Sequence, residues 1–127
     1  MNAATWIVQL ILGILFLLHG LLYTVPTLSR SMDRQRQARG LPRHISLAFQ
    51  RFIGVAEIAG AVGITIPAAF HLLTWLTPVA ALGLAVVGFA AAVFHFRRRE
   101  MSMVPVVLVL GILAAFVAYA RTFAAPL

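Results

Sequence analysis

The sequence predicts an all-α protein, a bundle of four antiparallel transmembrane helices, and three observations carry that expectation. The chain has 127 residues, of which 62% are hydrophobic and only 10% charged, with a mean hydropathy of +1.00. Soluble domains carry about 25% charged residues. Four apolar runs are each long enough to cross a hydrocarbon core of about 30 Å at about 1.5 Å per residue. The ten cations are all arginines; eight fall in two blocks between those runs, and Arg51 lies at the start of the second run.

The same numbers exclude several classes. A net charge of +7 could point to nucleic acid, but no basic face interleaved with aromatics is present, so no nucleic-acid partner is expected. There is no cysteine, so the chain cannot exchange disulfides or bind a metal or iron–sulfur cluster through thiolates. One integral membrane domain over residues 1–127 fits the length.

The first span is expected over residues 4–25. No arginine precedes it, it is long, and no small-residue cleavage site follows, so it reads as an uncleaved span rather than a signal peptide. Gln9, Leu12, Phe16, His19 and Tyr23 fall on one helical stripe, which should face the bundle interior. Pro26 ends the run. The connector that follows carries Arg30, Arg34, Arg36, Arg39 and Arg43 against the single acid Asp33. It reads either as a short interfacial helix with Leu28 and Met32 as its apolar face, ended by Gly40 and Pro42, or as a disordered basic loop. Both forms would be drawn to anionic lipid.

The second span is expected over residues 46–66, with Gln50, Gly54, Glu57, Ala61 and Ile64 on its inner stripe. Ala56 with Gly60 and Ala59 with Gly63 are small-residue pairs that permit close helix approach. Residues 67–78 carry no formal charge and are bounded by prolines, which reads as a hairpin connection with Phe70, His71 and Trp75 at the interface. The third span, over residues 77–95, has a stripe of small residues ending in His95. Arg97, Arg98, Arg99 and Glu100 follow at once. The fourth span covers residues 103–120, with Gly111, Ala114 and Ala118 on one stripe, and Arg121 lies just beyond it.

Six arginines lie in and after the first connector and three in the last, against Arg121 alone on the other side. This imbalance predicts a multi-pass protein of a bacterial-type inner membrane, with both basic connectors cytoplasmic and both termini outside.

Glu57 is the residue the sequence makes most of, because an acid in hydrocarbon costs about 2.5–3.5 kcal/mol on insertion scales unless the protein receives it. Counting about six residues, roughly 9 Å, from the ends of adjacent antiparallel helices places His19 and Glu57 at similar depth. His95 and Arg51 fall nearby. These four residues form the candidate ligand-binding or proton-handling cluster. A carboxylate beside an imidazole can hold or relay a proton, or bind a quinone carbonyl or hydroxyl; it can also simply join helices. No metal site is expected, since no local ligand motif is present.

The segments RFIGVAEIAGAVGITIP, WLTPVAALGLAVVG, AAAVFHFRRRE and FVAYAR, in this order and spacing, resemble the DoxX-like integral membrane proteins over residues 14–121. The resemblance implies a four-helix membrane bundle. Some members are subunits of thiosulfate:quinone oxidoreductases or of other membrane redox assemblies, and distant eukaryotic relatives act in membrane-protein folding. It carries the family's second-helix acid onto Glu57, its preceding arginine onto Arg51 and its third-helix histidine onto His95. One departure is Val106 after Pro105, where many members have asparagine.

The expected function is therefore that of a small membrane protein that binds a quinone or similar lipophilic ligand at the Glu/His cluster, among membrane lipids and redox partner proteins. The alternative is a non-catalytic scaffold or assembly factor that packs on other membrane proteins. A homo-oligomer is possible, with Gly83 and Gly88 as the expected free small-residue surface.

Overall fold

The computed structural model describes residues 2–41 and 45–127. Among them five α-helices run in order: α1 Asn2–Thr24, α2 Pro26–Ala38, α3 Leu47–Phe70, α4 Leu76–Arg97 and α5 Val104–Tyr119, the last extended by a π-helical turn, Ala120–Ala124. α1, α3, α4 and α5 with its π turn are each long and apolar enough to cross a membrane. The chain is a small multi-pass membrane protein built as an all-helical bundle. Its two ends are conveniently named for what they carry: the termini end, and the basic end with the arginine blocks.

The connector after α1 is a helix. Val25 is extended, with φ −76° and ψ 120°, and Pro26 then occupies the first position of α2, where its fixed φ suits a helix and its missing N–H would have had no partner. Gly40, at φ 67°, turns the chain just after α2. Pro42 and Arg43, also assigned to this connector, lie outside the described residues. The side of α2 turned to the bundle is Ser29, Met32, Asp33 and Arg36; Leu28, grouped with Met32 as the helix's apolar face, is exposed. The reason is phase: Ser29, Met32, Asp33 and Arg36 repeat at three- and four-residue intervals, and Leu28 is off that stripe.

α3 starts at Ser46, whose hydroxyl accepts from Phe49 N–H, and runs through Pro67 to Phe70. The proline therefore does not end the span. It removes one donor, four residues after Gly63, and the helix resumes beyond it until His71 turns left-handed at φ 52°. The hairpin connection is correspondingly short, and Pro78 falls within the first turn of α4, where a missing N–H is tolerated.

Helix packing follows the glycines at two crossings. A Cβ on Gly20 would come within 2.7 Å of Gly54 O, so α1 and α3 touch backbone to backbone. A Cβ on Gly88 would lie 2.7 Å from Gly111 Cα, which clamps α4 on α5. Gly88 is thus inside the fold and not on a free surface, a correction to the expectation above. Gly83 does face open space. The apolar core, with Leu12, Phe16, Ile64, Leu84 and Val117, fills the middle. The pairs α1–α3, α3–α4 and α4–α5 pack extensively, whereas the α1–α5 seam is loose.

Candidate functional site

The glycine crossing at Gly20 and Gly54 draws α1 and α3 together at the level of the acid. There His19 Nδ1 and Glu57 Oε2 lie 2.6 Å apart. The Glu57 side chain is 5% exposed and that of His19 46%. The contact needs one proton between the two atoms. With it on Nδ1, the imidazole donates to the carboxylate and Nε2 keeps a lone pair directed away from Glu57. Among the described residues no hydrogen bond engages Nε2. Tyr23, one turn on, covers the imidazole with ring centroids 4.3 Å apart, and its buried phenol is within electrostatic reach of both Glu57 and Glu100.

Glu100 forms a second node at the basic end. Its Oε1 accepts from Arg36 Nη2 at 3.0 Å and from Arg98 Nε at 3.4 Å, and its Oε2 meets His95 Nδ1 at 2.5 Å. Arg99, left-handed at φ 58°, makes the turn that returns Glu100 to the end of α4, where its N–H bonds His95 O. The node fastens α2 across the end of α4. His95, placed by the sequence in the Glu57 cluster, has Glu100 as its carboxylate. Arg51 is exposed and, among the described residues, joins neither node. Four expected residues thus divide: Glu57 and His19 meet, His95 serves the neighbouring node, and Arg51 stands apart.

A third node lies at the termini end, and sequence reasoning missed it. Arg121 is only 3% exposed. Its Nε donates to Gln9 Oε1 at 2.8 Å, and its Nη1 donates to Asn2 Oδ1 at 2.8 Å and to Ala125 O at 3.1 Å. The guanidinium also sits over the Trp6 ring, 4.8 Å from its centroid. Gln9 in turn donates to Ile64 O, in the turn that Pro67 opens. Two signals in the sequence pointed here: a buried-stripe glutamine needing partners, and a lone arginine on the side where arginines are scarce. For Glu100 the signal was a single acid five residues after His95.

Among the described residues, two depressions lie apart from these nodes. One of about 190 Å³ is an apolar groove along the outer flank of the α1–α3 seam, lined by residues such as Leu10, Gly13, Val62 and Thr65. The other, about 420 Å³, is open and lies on α2 between Thr27, Arg30 and Arg34. Neither borders Glu57 or His19. Among the described residues no three His, Asp or Glu side chains are grouped so as to hold a metal ion.

The sequence model of the DoxX-like family matches residues 7–117. No curated protein and no solved structure matches the chain.

Proposed function

The chain belongs to the DoxX-like family, and we propose that its Glu57–His19 pair binds the oxygen-bearing ring of a lipophilic ligand, a quinone or quinol, for a membrane redox assembly. The observation that carries this reading is the unequal exposure of the pair. Glu57 is buried and fixes Nδ1, while the half-exposed imidazole keeps Nε2 on the side away from the acid. A quinol hydroxyl would donate to Nε2, and Nδ1–H would donate to the carboxylate. If the proton moves, the hydroxyl loses one and Glu57 gains one, with the imidazole neutral before and after. Placing a carboxylate there has a desolvation cost that a packed leucine would not have, which favours a chemical use over helix adhesion. On this reading His95 and Arg51 act from the basic end, His95 by holding Glu100 and Arg51 as a headgroup-level cation.

The arginine imbalance, nine against one, supports an orientation with the basic end cytoplasmic and the termini outside. The site would then face the cytoplasmic leaflet of a bacterial-type inner membrane, in a chain folding as one domain.

Gentle purification followed by lipid extraction and mass spectrometry tests the reading. Co-purifying quinone, depleted in His19→Ala and Glu57→Leu, is expected. Equal recovery from wild type and variants, or no quinone binding on titration of a short-chain quinol into nanodiscs, would overturn it. A second reading, a scaffold packing on other membrane helices, is favoured by Gly83, which faces open space on the bilayer side of α4. On that reading Gly83→Leu would lower the native mass of the assembly.

A further inference from the structure

We infer that the ligand of the Glu57–His19 pair enters from the bilayer through the seam between α1 and α5, in the half of the membrane next to the basic end; this rests on the quinone reading above. The inference begins with two residues on one stripe. Leu12 and His19 are seven residues apart, so their side chains leave α1 in nearly the same direction. Leu12 is 1% exposed, yet the His19 side chain is 46% exposed. The α3-facing side of α1 is marked by Gly13 and Gly20, whose added Cβ atoms would meet Thr65 and Gly54. His19 lies on the other flank of the inner face, the one turned to α5. What covers Leu12 and fails to cover His19 is therefore α5.

The two halves of α5 agree. Towards the termini end Ala114, Val117, Ala120 and Arg121 are buried, and Arg121 is tied to α1 through Gln9 and Asn2. Between Val104 and Leu110 no residue is buried. Gly88 against Gly111 holds α5 on α4, and so away from α1. The seam is closed at one end by the arginine and spreads toward the other, where α2 crosses beneath it to reach Glu100 through Arg36. A wedge of this shape, between two apolar helices, would present the His19 imidazole as a polar group to whatever enters it. Its chemistry suits a flat, apolar ring with a hydroxyl group, and it needs no route from water.

Leu15 and Leu22 flank His19 by one turn on either side, and Leu15 is 43% exposed, so tryptophan at either position can be accommodated while filling the wedge. The test titrates a short-chain quinol into nanodiscs holding the full chain. Variants are Leu15→Trp, Leu22→Trp and, as a control on the far surface, Val86→Trp, with ¹⁵N spectra of His19 reporting that its bond to Glu57 persists. The expected result is a tenfold or greater loss of affinity in both α1 variants, with the control unchanged. Wild-type affinity in both α1 variants, with binding still abolished by His19→Ala, would overturn the seam while leaving the binding reading intact. Absence of quinol binding by the wild type would remove that reading and the inference together.

Discussion

Arg121 Nε donates to Gln9 Oε1 at 2.8 Å across 112 residues of chain, joining the end of α5 to the first turns of α1. The chain's three acids, Asp33, Glu57 and Glu100, all belong to the basic half, so this buried cation is served by neutral acceptors and by the Trp6 ring. The clasp is where the loose α1–α5 seam is fixed.

Arg121→Met is expected to leave the Gln9 and Asn2 oxygens without their donor and to destabilise the bundle by about 1–3 kcal/mol. Adding Gln9→Leu should recover much of that loss, because both ends of the bond are then apolar. Thermal unfolding of the two single variants and the double variant in one detergent measures the coupling. Purely additive losses would show that the two side chains do not act together.

Glu100 gathers Arg36, His95 and Arg98, and its replacement by glutamine should loosen α2 before anything else. The pairs are part-exposed, so the change is local. A loss on the order of 1 kcal/mol corresponds to roughly fivefold faster amide exchange. Hydrogen exchange should show this over residues 26–38 and leave α3 and α4 protected. Unchanged exchange in α2 would mean that the helix is held by other contacts.

The glycines separate in the same way. Gly88→Leu places a side chain where Gly111 backbone already lies, and it should prevent α4 and α5 from closing, with aggregation in detergent as the readout. Gly83→Leu meets nothing, and the monomer should fold as before. Equal behaviour of the two would contradict the α4–α5 crossing.

These contrasts mark what the sequence could say. Spans, their order and the depth of Glu57 and His19 follow from hydropathy, helix rise and chain direction, all of which are local or additive. The partner of His95 does not, because it depends on a tight turn at Arg99 that folds Glu100 back on the helix it follows. Arg121 was read as a topological charge because its burial depends on a π turn and on the position of α1, neither of which has a period in the sequence. Pro67 was read as a stop, although a proline costs a helix only one donor and some bending when neighbouring helices hold both sides. Gly83 and Gly88 look alike in sequence, and only the phase of α4 against α5 tells them apart.

The sharpest contrast between a working pair and a structural one is the double replacement Glu57→Leu with His19→Leu. A pair present to hold helices together should be missed when it goes. A pair present for its chemistry should not, since two leucines remove the desolvation of Glu57 and add apolar contact in the same place. Replacements of buried ion pairs by apolar residues are often neutral or stabilising, by about 1–4 kcal/mol. Here His19 is half-exposed, so the expected gain is at the low end, about 1 kcal/mol or less. Glu57→Gln serves as the intermediate case: its amide oxygen can still accept from Nδ1, so the fold should be kept, but it cannot take up a proton. Thermal unfolding and quinol titration on the same preparations decide the matter. The expected outcome is a double variant at least as stable as wild type that binds no quinol, and a Glu57→Gln variant that folds normally with weakened binding. A double variant that unfolds several degrees lower, with Glu57→Gln binding as wild type does, would make the pair an adhesive between α1 and α3 and leave the scaffold as the function.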